Sequence, residues 1–182
     1  MTVLRIAYAL PVLALFSFGC ASTPAKPLTQ TKSLTEITIF HNNDGESQLL
    51  HAGTGVEEFG GVANFSTKLS QLIKKLPPGA NHLVLSSGDN ILPGPELEVS
   101  RRSGIPFLDS KVINHLKYNA ICLGNHDFDL GPDFLADLIS GTKQDITFVA
   151  ANLDFSQEPK LAALQAQGRI AGHKIVEFAN GE

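Results

Sequence analysis

Three short polar clusters each stand directly behind an apolar run: "HNNDGES" (41–47), "GDN" (88–90) and "GNHD" (124–127). Between them they supply Asp44, Glu46, Asp89, Asn125 and His126, mostly hard oxygen donors with one imidazole. Grouped carboxylates repel one another unless a cation neutralises them. Oxygen-rich shells with some nitrogen suit Mn²⁺, Fe²⁺, Zn²⁺ or Mg²⁺ better than copper or a thiolate-loving metal. Two such ions a few ångströms apart can clamp the attacking and leaving oxygens of an in-line phosphoryl displacement.

The apolar runs that must position these clusters read as strands: "ITIF" (37–40), "HLVLSS" (82–87), "NAICL" (119–123) and "ITFVAANL" (146–153). Each is continuous rather than alternating, the pattern of strands buried on both faces of a sheet. Helical patterns lie between them. In "GGVANFSTKLSQLIKKL", Val62, Phe65, Leu69, Leu72, Ile73 and Leu76 share one face, and Pro77-Pro78-Gly79 ends the run. "PFLDSKVINHL" opens with Pro106 in a first-turn position and groups Leu108, Val112 and Leu116; "PDFLADLI" starts another helix at Pro132. The alternation predicts an α/β layered domain with helices covering the sheet. Ligands of open α/β sheets bind beyond the carboxyl ends of the strands, where all three clusters fall.

On these residues the chain resembles the calcineurin-like metallophosphoesterases, specifically their secreted 5′-nucleotidase branch. "ITIFHNNDGES" is similar to that family's first block, "SSGDN" to its second and "YNAICLGNHDFDLG" to its third. "GGVANF" and "AANLDF" match its Gly-Gly-x-Ala helix start and Ala-Asn strand end. The resemblance implies a two-metal phosphoester hydrolase, converting a nucleotide and water to a nucleoside and phosphate. By position, Asp44 would bind the first ion, Asp89 would bridge both and Asn125 would bind the second. His126 would act on the phosphoryl group rather than bind metal, with Asp129 holding its other ring nitrogen. Asp127 receives no catalytic role.

One departure stands in the first block, where Glu46 occupies the family's His position. As a ligand it would add negative charge and favour a harder ion such as Mn²⁺ or Mg²⁺ over Zn²⁺. The family's later Gly-His-x-His is not matched by "AGHK" (171–174). "HKIVEFANGE" reads as a strand that reaches the hairpin signal Asn180-Gly181 and has no returning partner. The domain is therefore expected to be incomplete at its C-terminus and, as a 182-residue chain, nearly inactive. The competing readings are a metal-binding envelope protein without turnover, and a cyclic-nucleotide diesterase or thiosulfate-ester hydrolase of the same superfamily. His41, His51, His82, His115 and His173 read as surface or packing residues.

Residues 1–19 have one early cation, Arg5, and a short apolar run, the layout of a secretory signal peptide. Gly19-Cys20 followed by Ala21-Ser22 resembles a bacterial lipoprotein cleavage site, with lipid on Cys20 as the membrane anchor and a periplasmic or cell-envelope location. Residues 20–35, rich in Pro, Ser, Thr and Lys, read as a tether, and 36–182 as one domain. The net charge of −4 excludes a basic nucleic-acid groove. Cys122, inside an apolar run, is expected to be a small buried residue.

Overall fold

A computed structural model describes residues 35–179; the leader, Cys20, most of the tether and the Asn180-Gly181 pair lie outside the described residues. Five strands, β1 (Ile37–Asn42), β2 (Asn81–Ser86), β3 (Ala120–Cys122), β4 (Thr147–Val149) and β5 (Ile170–Ala171), form one sheet in the order β1-β2-β3-β4-β5. Every neighbouring pair is parallel, with Ile39 opposite Leu83, Leu85 opposite Ala120 and Ile121 opposite Phe148. Five helices connect them: α1 (Val62–Ile73), α2 (Pro95–Arg102), α3 (Leu108–Leu116), α4 (Pro132–Ser140) and α5 (Pro159–Ala166). A 3₁₀ turn, His126–Phe128, follows β3. The α/β class read from the alternation of runs is the observed one.

A sheet whose strands run in sequential order, with crossovers of one hand, receives all its helices on one face. Burial along the strands follows that rule. Val84, Ser86, Ile121, Phe148 and Ile170 are buried, while Ile37 and Ile39 on the opposite face are 42% and 55% exposed. The expectation of strands buried on both faces therefore fails for β1. Cys122 is a second correction: its strand position turns it to the uncovered face, and it is exposed.

The core lies between the sheet and the helices. Helix α4 contributes Leu135, Ala136, Leu138 and Ile139, all buried, and complete burial of each large aliphatic contributes about 1.5–3 kcal/mol. Arg169, beside β5, is buried under the end of α4 and donates through Nη2 to Ile139 O, Thr142 O and Thr142 Oγ1. Burial lowers its pKa, and the charge of Asp145 opposes that fall.

Several elements differ from the sequence reading. Helix α3 begins at Leu108, so Pro106 precedes it, and its buried face is Asp109, Ser110, Ile113 and Leu116. The apolar run 146–153 pairs as a strand only over Thr147–Val149. No strand is assigned over 173–179; Lys174 Nζ instead donates to Asn119 O and Asp145 O, both at 2.7 Å, fastening that segment to the starts of β3 and β4.

Candidate active site

The loops after β1 and β2 run side by side, joined by three backbone bonds. Asp44 N donates to Gly88 O (3.1 Å), Glu46 N to Asp89 O (2.9 Å) and Ser47 N to Asn90 O (3.0 Å). To make these bonds, Asp44, Glu46, Ser47 and Asp89 all take positive φ, between 49° and 53°. Left-handed backbone costs a non-glycine residue roughly 1–2 kcal/mol. Among the described residues only one other non-glycine, Lys117, shares it. Backbone strain thus concentrates where the sequence places its acidic residues.

The third loop closes onto the second through two contacts. His126 N donates to Asp89 Oδ1 at 2.8 Å, which turns that carboxylate toward the 3₁₀ turn. Asp127, 3% exposed, reaches back underneath: Oδ2 accepts from Asp89 N (3.2 Å) and Gly124 N (2.9 Å), and Oδ1 from Asn90 N (3.1 Å). Burial raises the Asp127 pKa, the three N–H donors oppose that rise, and the neighbouring Asp89 charge adds to it. Sequence reasoning gave this residue no part. The available signal was an acid wedged between His and Phe in a glycine-flanked turn, where unpaired N–H groups need an acceptor.

The approach of these two loops requires glycine. A Cβ on Gly88 would lie 2.6 Å from Gly124 N; one on Gly124 would lie 2.7 Å from Asp89 N and strike the Asp89 carboxylate.

His126 Nδ1 is 2.8 Å from Asp129 Oδ2. That hydrogen bond raises the imidazole pKa; partial desolvation lowers it, and the charges of Asp129, Asp89 and Glu46 raise it further. The charges of Glu46 and Asp89 therefore reach the same imidazole from two different loops. Asp44 is exposed, its carboxylate held by the Asn43 side-chain amide, and Asn125 is exposed at the start of the 3₁₀ turn. The other histidines sit apart: His115 contacts Ser66 Oγ (2.9 Å), His51 accepts from Gly53 N, and His82 meets Phe40 edge-on.

The donor chemistry fits a divalent cation in part. Among the described residues Asp44, Glu46 and Asp89 have no Lys or Arg ion-pair partner, so their charge is left for another cation. Asn125 adds a neutral amide oxygen. Yet no group of three His, Cys, Asp or Glu among the described residues forms a ready-made metal cluster. The oxygen shell is open, and a bound ion would need Asn125, water or further ligands to fill it.

No family model matches the chain. Curated proteins and solved structures do. A trifunctional nucleotide phosphoesterase of Bacillus subtilis, YfkN, is 29% identical over 156 residues, covering 78% of this chain and 10% of its own length. Its solved structure, described as a calcineurin-like phosphoesterase, superposes with a TM-score of 0.55 at 22% identity, over 80% of this chain and 44% of that one. The snake-venom 5′-nucleotidase of Naja atra is 32% identical over 161 residues, 80% of this chain and 26% of its own. The crystal structure of a 5′-nucleotidase precursor from Thermus thermophilus matches with a TM-score of 0.60 and 30% identity, over 79% of this chain and 26% of that one.

The chain is a homologue of 5′-nucleotidases and calcineurin-like phosphoesterases. It spans between a tenth and about a quarter of the length of the curated relatives named above. Phosphoesterases of this kind depend on divalent metals, which agrees with an acidic loop cluster lacking its own cations.

Proposed function

We propose that the chain carries part of the catalytic apparatus of a metal-dependent hydrolase that converts a nucleoside monophosphate and water to a nucleoside and phosphate. The observation that carries this reading is the His126–Asp129 pair (2.8 Å) joined to the acidic loops by the His126 N–Asp89 Oδ1 bond. The relatives' names, nucleotide phosphoesterase and 5′-nucleotidase, support the substrate class.

In this reading Asp44 and Glu46 hold one divalent ion, Asp89 serves two and Asn125 holds the second. Bound ions of this type would polarise a phosphoryl oxygen and acidify water. The chain's own residues do the rest. Asp129 occupies Nδ1 of His126, so Nε2 is the nitrogen left to meet the phosphoryl group or leaving oxygen. The raised imidazole pKa keeps a proton available for transfer to that oxygen. Asp127 and the paired backbone bonds hold the loops that carry these groups. The protein works in the cell envelope in this reading, attached through lipid on Cys20. Among the described residues no helix is long and apolar enough to cross a membrane.

The test is phosphate release from AMP with Mn²⁺, with a cyclic nucleotide and a thiosulfate ester as competing substrates. His126→Ala should lose on the order of 10²–10⁴ in rate while metal content is unchanged. Loss of metal in that variant would make His126 a ligand and overturn the assignment. The partial donor set, with acidic groups free of Lys or Arg partners but no cluster of three ligands among the described residues, favours one second reading, a protein that holds an ion without turnover. Mn²⁺ binding without hydrolysis of any of the three substrates would select it.

A further inference from the structure

Behind the first loop, on the helical side of the sheet, lies a cavity of about 460 Å³. Asn42, Asp44, Lys68, Asn90, Asp109 and Tyr118 contribute its polar wall, and apolar side chains of α1 and α3 the remainder. Asp109 is 3% exposed, and neither of its carboxylate oxygens has a hydrogen-bond partner. Asn90 Nδ2, on the same wall, is a second buried polar atom without one. These two account for three of the four such side-chain atoms found among the described residues.

A buried ionised carboxylate without a partner costs several kcal/mol, so an arrangement like this calls for an occupant. The first turn of α3 offers Asp109 a favourable dipole but no hydrogen bond to either oxygen. Among the described residues no Lys, Arg or His nitrogen comes within ion-pair distance of it. We infer that the cavity binds a hydrated monovalent alkali cation, Na⁺ or K⁺, against the Asp109 carboxylate.

Charge balance selects the valence. Asp109 is the one buried carboxylate on the wall, since Asp44 at its rim is exposed. One positive charge neutralises it, whereas a divalent ion would leave net positive charge buried. Size selects the hydration. At about 30 Å³ per water, the space holds an ion together with several waters. A coordinated water can also accept from Asn90 Nδ2, which satisfies the second orphaned atom. Asn42 Oδ1, already accepting from Tyr118 Oη at 2.9 Å, keeps a lone pair for the ion or its shell. The site adjoins the divalent centre proposed above and shares only Asp44, at its rim; Glu46, Asp89, Asn125 and His126 take no part in this wall.

The experiment is thermal unfolding of the 182-residue chain with EDTA present, in NaCl, KCl and choline chloride at equal ionic strength. At an alkali-ion concentration ten times Kd, the midpoint should lie about 3–5 °C above that in choline. Asp109→Asn should abolish the difference, whereas Lys68→Met and Asp89→Asn should retain it. Equal midpoints in all three salts would overturn the site. So would an alkali dependence that survives Asp109→Asn, or one that appears only in Lys68→Met, which would make the Lys68 ammonium the occupant. Should Asp109→Asn not fold, ²³Na relaxation of the unmodified protein decides: saturable broadening displaced by K⁺ supports the site, and its absence sinks it.

Discussion

The buried Asp127 carboxylate accepts the Asp89 amide N–H at 3.2 Å, tying the backbone of one acidic loop to the side chain of the next. The same carboxylate takes the amides of Asn90 and Gly124, so a single acid satisfies three donors from two loops. Asp127→Ala strands all three. We expect a loss of about 2–4 kcal/mol in urea unfolding, since each buried unpaired donor costs roughly 1–3 kcal/mol and some will find water. Asp127→Asn should be intermediate, because its Nδ2 faces donors while its Oδ1 still accepts. Wild-type stability in Asp127→Ala would show that the loops close without it.

Gly124→Ala tests the approach of the same loops from the other side. The added methyl meets Asp89, whereas the nearby Gly131 has open space around its Cβ position. Mn²⁺ affinity, measured by calorimetry, should fall in Gly124→Ala by at least tenfold, about 1.4 kcal/mol. Gly131→Ala, at φ 86°, should lower stability through backbone strain without touching affinity. Equal affinities in the two variants would dissociate the glycine from the metal site.

Asp89 should also dominate divalent-ion binding, being the carboxylate in contact with both neighbouring loops through its backbone and side chain. In Mn²⁺ titrations Asp89→Asn should weaken binding more than Asp44→Asn, whose parent carboxylate is exposed at the loop edge. The reverse order would count against the bridging role proposed for Asp89.

How much of this was legible in the sequence differs from feature to feature. The layered α/β class and the first four strands followed from apolar runs, because a buried strand needs a continuous one. Helix α2 escaped: its eight residues bury only Leu97 and Ser100, and its outer face is held by Glu98 with Arg101 (3.3 Å) and Arg102 (2.9 Å). Strand β5 is two residues long, too short for any period to register. The uncovered sheet face, and with it the exposure of Cys122, depends on strand order, which composition does not encode. At the site, the loops and the His126–Asp129 spacing were readable. Asp127 and Asp109 were not, because a buried acid announces itself through its neighbours in space rather than in sequence.

The strength of the His126–Asp129 pair reads out directly in solution, because the imidazole titrates. Their hydrogen bond is the largest cause of the raised imidazole pKa, so removing the carboxylate's charge should move the titration to lower pH. The measurement is the pH titration of the His126 ring by NMR in metal-free protein, comparing wild type with Asp129→Asn. An unchanged midpoint would mean that Asp129 does not hold Nδ1.

Tyr118 supplies a pH test on the core side of the first acidic loop. It is 4% exposed, donates to Asn42 Oδ1 and has its pKa pushed up to about 12, with burial the main cause and the Asn42 bond opposing it. Because the folded pKa lies above the unfolded value near 10, the neutral phenol's contribution is intact below pH 10. It is lost as pH rises from about 10 to 12, to a total of roughly 2–3 kcal/mol. With two tyrosines and no tryptophan in the chain, phenolate absorbance follows the titration cleanly. The phenolate step of higher midpoint should disappear in Tyr118→Phe. Between pH 9 and 11 that variant should also lose less stability to urea than wild type. A single two-proton step near pH 10 would place Tyr118 in water and contradict its position in the core.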